Sequence, residues 1–445
     1  MEIIFANDSG GMILPTGSVQ FVKQENIEMQ QEALFLSSDK IIIDYLFKNA
    51  SDKDITTTII FPLPDMACYE LSMGTDHNFD FKVWVNGKEI DYNTHLNIFN
   101  YDTDITKEFS SLFKNYYTLP TIKDLLEHCN TLSYEEREKI KLTKDGMELS
   151  LGEITQLGPN EYFGFPCAMK VYFYWEQSFP RGKIVNIRHT YRPSSEFVSN
   201  GSASFEYILK TANTWKMPIK QFNLLVKYIP GYRKGNVSVN YFSDSRYDSS
   251  KYPSRDFTSA GDLGKQYEQQ YYIADIKNFT PAGDLYISEK SRFFENYCSC
   301  EDNLGYKGCI LYSEKDKKTP KCFFKESPIE GEADIYPWFK AKYPLSGYFE
   351  VKKRDSWLDI ICVKDIPKGL PVCKVAETIE PKLNQIDGPA NLRDKPNGKK
   401  THEVEDKIYV WAVAKDGDWY QVITENFSGW THKQNLIDIF ADYDK

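Results

Sequence analysis

A thiol and an imidazole that meet in space can form a nucleophile and its base, and this chain holds two such couples. Cys167 in FGFPCAMK and His189 in NIRHTYRP fall in one β-rich region, and His128 directly precedes Cys129. Covalent catalysis needs hydrogen-bond reach in the fold, not proximity in sequence, so spacing alone does not dismiss either couple. Each also has a plain reading. Cys167 suits a small buried apolar position, His189 a strand position bonded to a backbone carbonyl, and neighbours on a helix face apart. Asp102 and Asp104 in NYDTDITKE stand at calcium-loop spacing, but the loop glycine and terminal ligand are missing, which leaves a solvated turn. G-x-S-x-G, H-E-x-x-H, Walker A and dinucleotide fingerprints do not occur, and GDLGK lacks the spacing to cradle phosphate. A carboxylate pair for glycoside cleavage is defined by distance in space, so none is named. The reading therefore leans away from catalysis, with no catalytic residue, metal ligand or cofactor assigned.

The nine cysteines are an odd number, so one thiol stays unpaired unless it bridges two chains. Cys298, Cys300, Cys309 and Cys322 crowd into one short stretch, and Cys362 and Cys373 follow eleven residues apart in an expected strand pair. Such crowding suits disulfides in an oxidising compartment. A zinc site is the sharper alternative, but the four lack C-x2-C pairs and a nearby histidine.

These groups must be positioned by strands. The chain has 445 residues, 41% hydrophobic and 15% aromatic, enough for packed cores and, at roughly 100 to 200 residues per domain, for two to four units. A net charge of −10 argues against nucleic acid as a partner, because phosphate binding needs a concentrated basic surface. No apolar run reaches the roughly 18 residues of a transmembrane helix. The opening MEIIFAND reads as the tail of a secretory signal whose front has been removed, or else as the start of a strand at Ile3 to Phe5.

The expected fold is mainly β: a β-sandwich-like N-terminal region with a helical insertion, followed by a small C-terminal β unit. GSVQFV, LFLSSDKIIIDYLFKN and DITTTIIFPLP are rich in Ile, Phe and Thr and broken by polar turns. In IIIDYLFKN the apolar positions run in blocks as well as alternately, so one face must be deeply buried. Asn86-Gly87 marks a tight hairpin. From about 104 to 153 the pattern turns helical, with a capping box at Ser133 and Glu136. The β-rich part extends over 6–325, a small β module or linker over 335–377, and a last unit over 388–436.

That last unit resembles the bacterial SH3 family. The likeness rests on NLRDKPNGK, on IYVWAVAKDGDWYQV around an Asp416-Gly417 turn, and on SGWTHKQNL with Trp430. The resemblance implies a small barrel that takes peptidoglycan or an extended peptide, with Tyr409, Trp411, Trp419, Tyr420 and Trp430 as the aromatic supply for binding. In a unit of about 50 residues some of these must instead fill the core. Residues 6–295 resemble the domain of unknown function 4424 family, through ANDSGGMILPTGSVQFV, YWEQSFPRGKIVNIRHTYRPSSE and YILKTANTWKMPIKQFNLLV. That resemblance implies export to the periplasm or outside the cell and a β-rich architecture. Together they point to a non-enzymatic envelope protein that binds cell wall and, through its front part, another envelope protein. A cell-wall hydrolase or peptidase targeted by the last unit, and a secreted host-interaction protein, are the alternatives.

Overall fold

Runs of β-branched and aromatic residues, cut by turn residues, dictate strands nearly throughout. The computed structural model of the protein describes residues 8–14, 19–38, 40–64, 66–67, 79–100, 103–109, 111, 131–144, 146–155, 167–193, 196–197, 203–227, 233–244, 258–267, 271–292, 308–312, 320–324, 329–330, 340–341, 360–363, 368–371 and 377–441. Among them the largest sheet has nine strands. Its middle is Ile41–Asn49, antiparallel to both Gln24–Leu36 and Ile184–Tyr191. Ile219–Lys227 runs parallel to Gln24–Leu36 and antiparallel to Tyr271–Phe279. A seven-stranded sheet is built on Cys167–Phe179, which lies between Ile55–Pro62 and Asn93–Asn100, with Ser9–Ile13 beyond Ile55–Pro62. The chain passes from this sheet to the larger one through a turn at Gly182, whose φ of 64° suits glycine. A five-stranded sheet within 196–292 joins the same continuous apolar cluster.

Ile41–Asn49 shows why the larger sheet reads as blocks. Ile41, Ile43, Tyr45 and Phe47 point into the sandwich core, as the period of two requires. Ile42 and Leu46 point the other way, yet are also buried. With Ala33, Phe35, Leu225, Tyr271 and Ile273 they form an outer apolar face, and the C-terminal sheet covers it with Leu383, Trp411, Val413, Ile423 and Phe440. The molecule is thus three layers deep here, and a strand buried on both faces loses its alternation. Ion pairs border the seam. Arg188 Nη1 lies 2.7 Å from Asp44 Oδ2, and Glu380 of the C-terminal sheet is shared by Arg188 and Lys40.

The C-terminal sheet has six strands in the order Glu377–Ile386, Ile408–Asp416, Trp419–Ile423, Ser428–His432, Ala390–Arg393 and Lys400–Val404. Among the described residues the pairing is an open path, where a closed barrel was expected, because Glu377–Ile386 takes up the edge of Ile408–Asp416. The sheet reaches upstream of residue 388 by that one strand. Its own core is Ile386, Leu392, Val404, Val410, Ala412 and Val422. The expected turns appear: Asn86 and Gly87 have φ of 47° and 73°, Asn397 55° and Gly417 58°. Ser133 and Glu136 form the capping box of a five-residue helix, Tyr134–Glu138. In the expected helical insertion the described residues also hold a hairpin, Lys141–Lys144 with Met147–Ser150, and a second short helix, Leu151–Thr155.

Candidate functional site

On the C-terminal sheet, register decides which aromatics face together. Trp411 lies opposite Ile423, and Gln421 opposite Trp430, which is opposite Arg393 in turn. Trp419, two residues from Gln421, is opposite His432, so Trp411, Trp419, Trp430, Arg393 and His432 share the outer face. Half of this face is occupied. Trp411, 4% exposed, packs in the seam against the nine-stranded sheet, and Tyr409 packs beside it. Burial raises the Tyr409 phenol above its ordinary range, and the charge of Asp275 adds to the rise. Trp430, 2% exposed, fills a small core with Ala414. Tyr420 turns to the opposite face and packs on the sheet's own core.

The other half is open to solvent. Trp419 is only partly buried, the Arg393 guanidinium carbon sits 5.9 Å from its ring centroid, and the His432 ring meets it edge-on at 5.5 Å. Arg393 Nη1 donates to the Gly398 carbonyl at 2.7 Å, which holds the guanidinium in place without neutralising it. Asp418 is committed to Lys433, 2.9 Å away, and lies 4.0 Å from His432 Nε2. The hydrogen bond and charge of Lys433 keep the Asp418 carboxyl below its usual range. A cation beside a partly buried indole is suited to a planar anion or a peptide plane.

A second polar centre lies inside the sandwich. His189 Nε2 is 2.9 and 3.0 Å from the two carboxyl oxygens of Asp8, and both residues are wholly buried. Trp215 Nε1 donates to the Asp8 carbonyl at 2.6 Å. Rings of Tyr45, Phe61, Phe81 and Trp175 surround the imidazole. Burial raises the Asp8 carboxyl above the ordinary range, and the proximity of His189 opposes this. Asp8 leads directly into Ser9–Ile13, so the pair ties that strand into the core. His189 therefore bonds a carboxyl rather than a backbone carbonyl, and Trp215 is a core residue beside it.

Residues 6–203 match the family described as Domain of unknown function (DUF4424). The match covers the seven-stranded sheet and the first strands of the larger one, and ends at residue 203, short of the residue 295 that the sequence resemblance reaches. No curated protein matches. A crystal structure of a candidate nutrient binding protein from Legionella pneumophila is similar with a TM-score of 0.34 and 18% identity, over 64% of this chain and 70% of that one. So distant a likeness carries no function.

The remaining candidates are scattered. Cys167 begins a strand of the seven-stranded sheet opposite Asn100, whereas His189 is on the nine-stranded one. Cys309 lies opposite Cys362 and Cys322 opposite Leu311 in a three-stranded sheet. Asp104 Oδ1 accepts from Thr106 N at 2.9 Å. Asp102, His128, Cys129, Cys298, Cys300 and Cys373 lie outside the described residues. Among the described residues no three His, Cys, Asp or Glu side chains are placed to hold a metal ion.

Proposed function

We propose that the chain is a non-enzymatic exported envelope protein whose C-terminal sheet, an SH3-like unit, binds peptidoglycan or another extended peptide. The observation that carries this reading is the open half of the outer face, where Trp419 stays partly exposed beneath Arg393 while Trp411 and Trp430 are used in packing. An adjoining feature supports an extended ligand. Lys400–Val404 ends the sheet with four exposed residues, and a peptide can add to such an edge through main-chain hydrogen bonds. His402 on that edge meets the Phe427 ring at a tilt, centroids 4.5 Å apart, which provides a second ring surface nearby. The His189 ring, the base of the alternative hydrolase reading, is sealed in the core and engaged by Asp8.

The test is a pull-down of the full chain on purified sacculi, with soluble fragments assayed in the same tubes. Retention without fragment release is expected. Release of fragments would replace this reading with the hydrolase, and no retention would redirect it to a protein partner.

A further inference from the structure

Resting on that reading, we propose that Arg393 and Trp419 form a subsite for a free carboxylate on the peptide, with the indole carrying the adjoining peptide plane. Three features argue for a single negative charge. The first is the fork: a guanidinium presents parallel N–H donors that match a carboxylate bidentately. Its Nη1 bond to Gly398 O fixes that fork from behind. The second is the local charge. Lys433 is offset by Asp418, and the neighbouring Asp394 accepts from Lys399 N at 2.8 Å, which anchors its carboxylate within the turn. Among the described residues Arg393 stands in no ion pair, which leaves a charge suited to one carboxylate and poorly suited to a polyanion. The third is geometry: Arg393 lies opposite Lys400, so the subsite sits at the start of the edge strand on which an extended peptide would run.

The experiment is titration calorimetry of the full chain with soluble muropeptides that retain their stem-peptide carboxylates, and with the same fragments after carbodiimide-driven conversion of those carboxylates to amides. Amidation is expected to weaken binding at least tenfold. Arg393→Gln and Trp419→Ala should each weaken binding of the unmodified fragments by a similar factor, and Arg393→Gln should make little difference to the amidated ones. Equal affinity for both fragment sets, or undiminished binding by a folded Arg393→Gln chain, overturns the subsite while leaving peptide binding in place. No binding by the unaltered chain overturns the function itself. The amidation arm uses unaltered protein, so it decides the matter even where a variant fails to fold.

Discussion

His189 illustrates how a buried polar pair can be structural. Its ring sits among aromatics, and its Nδ1 has no hydrogen-bond partner among the described residues, so the contact with Asp8 is what offsets its desolvation. Removing one member of a buried pair leaves the other uncompensated, at a cost of about 3–5 kcal/mol. Asp8→Ala is therefore expected to lower stability by that order, whereas Asp8→Asn, which keeps an acceptor, should cost much less. Chemical denaturation of the two variants separates these outcomes, and equal losses would show that the pair contributes no more than its packing. The histidine was visible in the sequence as a strand residue. Its partner was not, because Asp8 and His189 are 181 positions apart and only the sandwich brings them together.

Strands and hairpins were the most legible elements. Asn86-Gly87, Asp416-Gly417 and Asn397 announce turns through residues that tolerate positive φ, and Ser133 with Glu136 announces a helix start through reciprocal caps. What escaped was the second buried face of Ile41–Asn49, since its cover comes from strands more than 300 positions away. The same distance hid the role of Trp411, which local pattern offers equally to ligand or core. At this seam Asp275, on Tyr271–Phe279, meets Glu425 of the C-terminal sheet, whose Oε1 accepts from Asp275 N at 2.9 Å. Asp275 is exposed, and partial desolvation at the seam raises its carboxyl, the hydrogen bond from Gln221 opposes the rise, and the Glu425 charge reinforces it. A raised acid stabilises the fold below its unfolded value of about 3.9, and that contribution is lost as pH climbs through the folded pKa. Asp275→Asn should then melt slightly higher than the unaltered chain at pH 7, by roughly 1 °C because solvent screens the group, with no advantage below about pH 4. A lower melting temperature at pH 7, or a gain that persists in acid, would contradict this account.

For the whole molecule, the C-terminal sheet is a third layer as well as the proposed binding unit. Cutting the chain after Ala376 uncovers Phe35, Ile42, Leu46 and Leu225 together, an apolar patch of the kind that drives association. Size-exclusion chromatography of the chain ending at Ala376 should show oligomers or aggregate where the full chain is discrete, and a discrete monomer would mean that the layer is dispensable. Loss of cell-wall binding on truncation is for that reason a weaker test of the ligand surface than Trp419→Ala, which leaves the seam closed. The all-β class was legible from composition and pattern, but this dependence of one unit on the other was not, because neither stretch alone records what lies across from it.

The seam also sets an order of events during synthesis. Strands of the nine-stranded sheet leave the ribosome long before Trp411, Ile423 and Phe440, so its outer face must wait, uncovered, for the last tenth or so of the chain. Contacts of such long sequence separation form slowly, and exposed apolar surface is prone to capture by other chains meanwhile. The seam must therefore close before the outer face is protected from association.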